Sequence, residues 1–330
     1  MKQLYTEWGS VLALVTASWV LLALADLIFS LLMAEFTAFT FKKTFLRGLL
    51  VLALPVVLVG YGVFIERNLF HVEEEELGYA DLPEAFDGYR IVHISDIHAR
   101  SFRKRPDALR RAVRKINDLH PDLIAFTGDL ITVRPDETDA VTGILRALQA
   151  PDGIVSVMGN HDYSTYAHWN RGRGLDHGMR YDVAERERQM GWHILLNEHL
   201  LLTRQEDTLA LVGVENSSIS DRFPSRGRLQ EASEGTDGLF RILLSHDPQH
   251  WDTEVLKAGF ALTLSGHTHA GQCKILGWSP VRFSCQRYEG LYESDGQRLY
   301  INRGLGETIF PARIGVPPEI TLITLRRAAE

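Results

Sequence analysis

The sequence predicts an α/β fold for the larger, C-terminal part of the chain. Three short apolar segments at 90–94, 122–126 and 153–158 are typical of buried strands, and helical spacing of apolar residues over 106–119 and 136–148 separates them. Strands that alternate with helices in this way form a βαβαβ unit with parallel neighbouring strands. Polar residues follow each strand at its carboxyl end, which is where open α/β sheets build their sites.

The N-terminal part of the chain differs in composition. Residues 11–33 and 45–64 are each close to the ~20 apolar residues that a helix needs to cross a bilayer. The first segment is too long, and too far from a small-residue cleavage site, to be an ordinary signal peptide. We therefore expect residues 1–66 to form a membrane anchor of two transmembrane helices. The alternative is a buried helical hairpin in a soluble protein. Asp26 is costly inside the first segment, and no function is assigned to it.

The charges around these segments predict an orientation. Lys42 and Lys43 lie between the two segments and Arg47 lies at the start of the second, whereas the acidic run 73–76 follows the second. By the positive-inside rule the basic loop is cytoplasmic, so the N-terminus and the C-terminal domain both lie outside. This predicts a multi-pass protein of the cytoplasmic membrane with an extracytoplasmic domain. Residues 67–88 are acidic and are expected to form a linker to a domain at 89–330.

More strands are expected in the second half of the chain, after a charged helix at 179–189. Their positions are 193–196, 200–203, 209–214, 241–244, 260–264, 298–302 and 319–325, and the first three suggest a second, hairpin-rich sheet. Residues 163–178 show no sustained period. They predict either a loop that touches substrate through His168, Trp169 or Arg171, or a plain surface loop.

Composition excludes several classes of protein. The chain has 330 residues, a net charge of -7 and 13 histidines, and it lacks the basic clusters with which proteins grip nucleic acid. Two cysteines, Cys273 and Cys285, are too few for a disulfide framework or a four-thiolate zinc site. Their spacing does not show whether they pair.

Five separate apolar strands end in residues that can bind metal. Each such residue alone has an ordinary structural explanation, but their shared position at strand ends predicts one common site. Oxygen and imidazole ligands without thiolates suit Mn, Zn, Fe or Co. Asp-x-His and His-x-His place alternate side chains on one side of an extended segment. The residues are Asp96 with His98, Asp129, Asn160 with His161, His246, and His267 with His269.

The set D-x-H, G-D, G-N-H-D, a lone histidine after a strand and G-H-T-H resembles the calcineurin-like metallophosphoesterase family over residues 90–324. The resemblance implies an α-β-β-α sandwich of two sheets flanked by helices. It also implies two divalent metal ions, with Asp129 bridging them. The implied ligands are Asp96, His98, Asp129 and His269 for one ion, and Asp129, Asn160, His246 and His267 for the other.

The resemblance also implies a reaction. A metal-bridged hydroxide would attack a phosphodiester or pyrophosphate. His161 would face the phosphate without ligating a metal, either as a donor to the leaving oxygen or as a stabiliser of transition-state charge. Many family members carry glycine two residues after the first histidine, where this chain has Arg100. Arg100 would then contact a substrate phosphate, or it is simply an exposed arginine.

Further motifs are similar to the membrane-anchored bacterial branch of the family. These are the two N-terminal segments, the run 266–272 and the late stretches 302–306, 311–313 and 317–319. Some members of that branch act on UDP-diacylglucosamine, which implies a lipid-linked or envelope substrate such as UDP-2,3-diacylglucosamine. An extracytoplasmic domain would disfavour that nucleotide-linked precursor. The alternatives are a broad phosphomonoesterase and a non-catalytic metal-bound scaffold or sensor.

Overall fold

The computed structural model describes residues 2–36, 40–164 and 182–328, and its C-terminal part contains two six-stranded sheets. The strand order is β1-β12-β2-β3-β4-β5 in the first sheet and β10-β11-β9-β8-β7-β6 in the second. The strands are β1 His71–Tyr79, β2 Arg90–Ile94, β3 Leu123–Phe126, β4 Ile154–Ser156, β5 His193–Ile194, β6 Glu198–Arg204, β7 Asp207–Gly213, β8 Phe240–Leu244, β9 Leu262–Ser265, β10 Gly290–Ser294, β11 Gln297–Ile301 and β12 Glu319–Arg327. The helices are α1 Lys2–Phe36, α2 Phe41–Leu52, α3 Leu54–Phe64, α4 Pro106–Asp118, α5 Thr142–Leu145, α6 Asp182–Gln189, α7 Leu229–Ala232 and α8 Gln249–Thr253.

The predicted parallel unit is confirmed in the first sheet, where β2, β3 and β4 are parallel neighbours. Helix α4 covers the first connection and buries Leu109, Val113 and Ile116 against the sheet. The second connection is less regular than expected, since it consists of a 3-10 turn at Pro135–Ala140 followed by α5.

The two sheets pack face to face around one apolar layer. Ile91 and Leu123 of the first sheet join Leu211, Ile242 and Leu264 of the second in this core. A separate cluster that includes Trp251 and Phe260 lies with β8 and the residues around α8. The architecture is therefore the expected α/β sandwich of two mixed sheets. One assignment differs, because β5 joins the first sheet while β6 and β7 form a hairpin in the second.

The segment expected to be a linker contains a strand. Strand β1 pairs with β12 in parallel over nine residues, from His71 with Glu319 to Tyr79 with Arg327. Four consecutive glutamates carry little local tendency to form a strand, so the pairing comes from the distant partner and not from the local sequence. Leu77 is buried at the end of β1, which ties the segment to the core.

The expectation of two transmembrane helices was wrong. Among the described residues, one helix is long and apolar enough to cross a membrane, with the candidate span at Val15–Phe36 of α1. The second expected span is divided at Ala53 into α2 and α3, of 12 and 11 residues. Pro55 lies in the first turn of α3, where its missing N–H is tolerated and a new helix can begin. The positive-inside argument assumed two spans, so it no longer assigns a side of the membrane.

The end of α3 is joined to the C-terminal domain by hydrogen bonds. The amide of Arg313 donates to the carbonyl of Gly62 at 3.3 Å, and the amide of Gly315 donates to Glu66 Oε2 at 3.0 Å. The Arg67 guanidinium donates to the carbonyl of Pro311 at 2.9 Å. The N-terminal helices therefore meet the domain at the loop 311–315.

Candidate metal centre

The carboxyl ends of β2, β3, β4, β8 and β9 meet at one edge of the sandwich, and all seven predicted ligands lie there. The first group forms around two imidazoles. The Nε2 atoms of His98 and His269 are 3.1 Å apart, and His269 Nε2 is 3.1 Å from Asp96 Oδ1. These three side chains are buried and offer three ligand atoms to one point.

A second group lies beside the first. Asn160 Oδ1 is 2.7 Å from His267 Nδ1 and 3.2 Å from His246 Nε2, and the two ring nitrogens are 3.3 Å apart. Asn160 thus places an oxygen beside the ring nitrogens of His246 and His267.

Asp129 belongs to both groups. Its Oδ2 lies 3.3 Å from His246 Nε2 and 3.7 Å from His98 Nε2. Its Oδ1 accepts a hydrogen bond from the amide of His161 at 2.8 Å, which fixes the carboxylate between the two groups.

The orientation of these side chains fits cations. Carbonyls of Ile131 and Thr127 face the Nδ1 atoms of His98 and His246 at 3.1 and 2.7 Å, so Nε2 of each ring faces the centre and offers its lone pair when the ring is neutral. Asp96 Oδ2 accepts from the Ser95 hydroxyl and the His267 amide, whereas Oδ1 is buried and accepts no hydrogen bond within the described residues. A buried carboxylate oxygen beside two imidazole ring nitrogens is a donor set suited to a divalent ion.

The backbone at these ligands is strained. Five of the seven have positive φ angles: Asp96 (49°), His98 (42°), Asp129 (60°), His267 (71°) and His269 (50°). Such conformations cost about 1–3 kcal/mol each in non-glycine residues and persist where the surrounding structure enforces them, commonly at functional sites. A Cβ at Gly266 would lie 1.9 Å from Ser95 Oγ, which explains the glycine before His267.

The electrostatics of the cluster favour a positive charge beside the Asp129 carboxylate. Burial and the nearby His161 lower the pKa of His98 to about 3, which keeps this imidazole neutral and able to bind metal. Burial also disfavours charge on His246, but the Asp129 carboxylate outweighs it and raises the pKa of His246 to about 10. Without an ion, a proton on His246 therefore balances Asp129. A divalent ion would compete for that position.

Sequence reasoning assigned no role to Asp162, which organises the Asp129 loop. Its Oδ2 accepts from the amides of Asp129 and Gly159 at 2.7 and 2.9 Å, and its Oδ1 accepts from Ile131 at 3.2 Å. The last residue of Gly-Asn-His-Asp thus holds the preceding ligand loop in place. Its position directly after the ligand motif was the available signal.

Arg313 supports the other side of the centre, and its role was also missed. Its side chain is fully buried, and Nη2 donates to the carbonyls of Gly304 and Gly306 at 2.9 and 2.5 Å while lying 3.3 Å from His269 Nδ1. The loop that it holds also donates to the Asp96 segment, through the amide of Gly306 to the carbonyl of Asp96 at 2.8 Å. Burial lowers the pKa of Arg313 to about 10, so it remains charged at neutral pH.

We expect Arg313→Met to lower the free energy of unfolding by about 2–4 kcal/mol, because two buried carbonyls lose their donor. The metal content of the purified protein should fall below that of the unmodified chain, since Gly304 and Gly306 hold the Asp96 loop. Thermal unfolding and metal analysis measure the two effects. Arg110→Met on the exposed face of α4 is the matched control. An Arg313→Met protein as stable as this control would contradict the prediction.

The remaining predicted residues lie around the rim. His161 is half-buried, its Nδ1 lies 2.6 Å from the Thr132 carbonyl, and its ring packs edge-on at 4.9 Å against His98. Arg100 lies on the 3-10 turn after His98. Burial raises the pKa of Glu137, and the positive charge of Arg100 partly opposes that rise. Phe223, which the sequence did not single out, packs edge-on at 5.1 Å against His267.

Two other sequence predictions have different outcomes. Cys273 and Cys285 are both free thiols, which answers the open question of their pairing. The suggested substrate contacts His168, Trp169 and Arg171 lie outside the described residues.

Comparisons with known proteins agree with this geometry. Residues 89–271 match the family described as calcineurin-like phosphoesterase. The uncharacterized metallophosphoesterase YkuE of Bacillus subtilis is 31% identical over 275 residues, covering 81% of this chain and 89% of that protein. A transmembrane protein with metallophosphoesterase domain from Danio rerio is 32% identical over 298 residues, covering 86% of this chain and 64% of its own length. The UDP-2,3-diacylglucosamine pyrophosphatase LpxG of Chlamydia trachomatis is 27% identical over 327 residues, covering 83% and 94%.

Proposed function

The chain belongs to the calcineurin-like phosphoesterase family, and from this premise we propose that it is a membrane-anchored hydrolase acting on a phosphodiester or pyrophosphate bond of a lipid-linked substrate. Metal-dependent hydrolysis of phosphoric esters follows from the family. The observation that carries the finer proposal is the position of Asp129 Oδ2 between the two groups of ligand atoms. One shared carboxylate makes two adjoining cation sites.

The side chains divide between these sites. We assign Asp96, His98 and His269 to the first site, Asn160, His246 and His267 to the second, and Asp129 to both. When bound, two divalent ions at these positions would polarise the phosphoryl group and lower the pKa of a water towards neutrality. The donor set of oxygen and imidazole suits Mn, Zn, Fe or Co.

Two residues outside the ligand set are assigned to the substrate. The Thr132 carbonyl accepts Nδ1–H of His161, so Nε2 is the nitrogen that can carry a proton to the leaving oxygen. Arg100 follows the ligand His98 on a 3-10 turn at the same edge of the sheet. We assign it to a substrate phosphate, for which guanidinium offers paired donors.

Two observations support a lipid-linked substrate. Helix α1 is long and apolar enough to anchor the chain in a membrane, and its few buried positions leave the apolar surface outward. The end of α3 contacts Arg313, which in turn supports the ligand His269. Helix α3 packs against α1, and we call these N-terminal helices the anchor. A site joined to the end of the anchor can reach headgroups at the bilayer surface. The similarity to a UDP-2,3-diacylglucosamine pyrophosphatase favours a lipid pyrophosphate such as UDP-2,3-diacylglucosamine.

The test compares three substrates with the full-length chain in nanodiscs and Mn²⁺ supplied. We expect the rate on UDP-2,3-diacylglucosamine to exceed that on bis-p-nitrophenyl phosphate, and the latter to exceed that on p-nitrophenyl phosphate. Each rate should disappear with a chelator and return with metal.

Other outcomes point to other functions. Fastest hydrolysis of the monoester would replace the proposal with a broad phosphomonoesterase. Bound metal without turnover of any of the three esters would indicate a scaffold or sensor. Cleavage of the diester without cleavage of the lipid pyrophosphate would support the proposed reaction class and contradict the proposed substrate.

A further inference from the structure

A short hairpin follows the ligand segment that contains His269. Ile275 and Trp278 pair as an isolated antiparallel bridge, with N–O distances of 2.9 and 3.0 Å. The two residues between them, Leu276 and Gly277, have φ angles of 53° and 80°, as in a type I′ turn. Ser279 then caps a 3-10 turn at Pro280–Phe283. We call residues 274–283 the apolar hairpin segment.

Leu276 is an unexpected residue for this turn. Its φ angle is positive, a conformation that leucine rarely adopts, and the favoured pair at these two positions is Asn-Gly. Its side chain is also fully exposed, at 101% of the reference area. Neither property helps the isolated domain to fold, which indicates that the side chain contacts something outside it.

Leu276 is part of a larger apolar surface. Trp278 and Phe283 pack edge to face with ring centroids 5.9 Å apart, yet Phe283 remains 84% exposed. Ile275 is half-exposed beside them. Four large, exposed apolar side chains therefore lie within nine residues of this segment, at positions 275, 276, 278 and 283.

The charged residues within this stretch of sequence are all basic, and two of the three are balanced by acidic partners outside it. Residues 274–287 include Lys274, Arg282 and Arg287 and contain neither aspartate nor glutamate. Lys274 and Arg287 are paired with Glu289 and Asp252, and Arg282 is exposed on the 3-10 turn. Exposed aromatic and aliphatic side chains bordered by basic groups are typical of protein surfaces that lie in the membrane interface.

The segment lies directly beside the anchor. The amide of Lys274 donates to the carbonyl of Ile314 at 2.7 Å, and the amide of Ile314 donates to the carbonyl of Gln272 at 2.9 Å. The adjacent Arg313 is bonded to Gly62 of α3, so closely that a Cβ at Gly62 would lie 2.6 Å from the Arg313 carbonyl oxygen. The segment is thus joined by backbone hydrogen bonds, through residues 313 and 314, to the end of α3.

We propose that the apolar hairpin segment inserts Leu276, Trp278 and Phe283 into the headgroup layer of an anionic bilayer. The segment follows His269 after four residues, so its insertion places the metal centre against the bilayer surface. The inference rests on the membrane anchoring in the proposed function, but it does not depend on which lipid is hydrolysed.

The test uses the full chain in nanodiscs that contain phosphatidylglycerol, with Cys273 and Cys285 replaced by serine. An environment-sensitive fluorophore is attached through Leu276→Cys. We expect a blue-shifted emission that headgroup-level nitroxide lipids quench at least about threefold more than at the control position, as for a group in the interface.

The matched control is Asp295→Cys. Asp295 and Gly296 also have positive φ angles, of 51° and 75°, in the exposed turn between β10 and β11. This turn lies far from the anchor, since Arg298 at the start of β11 donates to the carbonyl of Gly78, at the end of β1 opposite the anchor. Equal quenching at positions 276 and 295, or water-like emission at both, overturns the proposal. A chain that does not enter nanodiscs overturns the membrane anchoring as well.

Leu276→Asn gives the functional readout. Asparagine suits this turn, so we expect an unfolding temperature no lower than that of the unmodified chain. Hydrolysis of soluble bis-p-nitrophenyl phosphate should be unchanged, while hydrolysis of a lipid pyrophosphate in vesicles should fall by about tenfold, the effect of one lost apolar contact. Equal losses on both substrates would show that Leu276 supports the site itself, and would overturn the proposal.

Discussion

Asp129→Asn is expected to abolish metal-dependent hydrolysis, with kcat/KM reduced by at least about 1,000-fold. The substituted side chain keeps the shape of aspartate and an oxygen that can accept from the His161 amide. The substitution removes the negative charge at Oδ2, the atom that lies 3.3 Å from His246 Nε2 and 3.7 Å from His98 Nε2. Two dications about 4 Å apart repel by roughly 16 kcal/mol at an effective dielectric constant of about 20, so the shared carboxylate is needed for double occupancy.

Metal analysis of the purified protein tests this directly. We expect about two ions in the unmodified chain and no more than about one in Asp129→Asn. Asp139→Asn is the control, because Asp139 is an exposed aspartate paired only at the surface with Arg186. An Asp129→Asn enzyme that holds two ions and keeps activity within about tenfold would contradict the bridging role.

The gathering of the candidate ligands at one edge could be predicted because strand ends are local features. Asp96, Asp129 and His246 each follow a buried apolar run, and parallel strands bring their carboxyl ends to one edge whatever the rest of the chain does. The assignment of each side chain to one of two metal sites stays a prediction. The structure adds the geometry on which it depends, above all the shared position of Asp129.

The features that sequence reasoning missed depend on distant parts of the chain. Strand β1 exists because of β12, whose paired residues lie 248 positions later, and its four glutamates give no local sign of a strand. Arg313 is a surface residue by composition, but three backbone and side-chain partners hold it in the interior beside His269. The break at Ala53 is different, since Pro55 was a local signal for a new helix.

His161→Ala is expected to leave both metal sites occupied and to lower kcat by about 100- to 10,000-fold, the usual range for removal of a general acid. His161 lies near His98 and Asp129, close enough that the three could also hold an ion. The metal content of the variant separates these roles. His193→Ala, at an exposed histidine of β5, is the control for the substitution itself.

The leaving group provides the sharper test of the same prediction. p-Nitrophenolate departs without a proton, whereas an alkoxide needs one, so an acid at His161 matters far more for alkyl esters. We therefore expect His161→Ala to lose at least about tenfold more activity on an alkyl diester than on bis-p-nitrophenyl phosphate. Equal losses on both, together with retained metal, would make His161 a stabiliser of transition-state charge, since that role acts on both esters alike. Loss of metal would make it a ligand, and the hydrogen bond from Nδ1 to Thr132 would then serve to aim Nε2 at the ion.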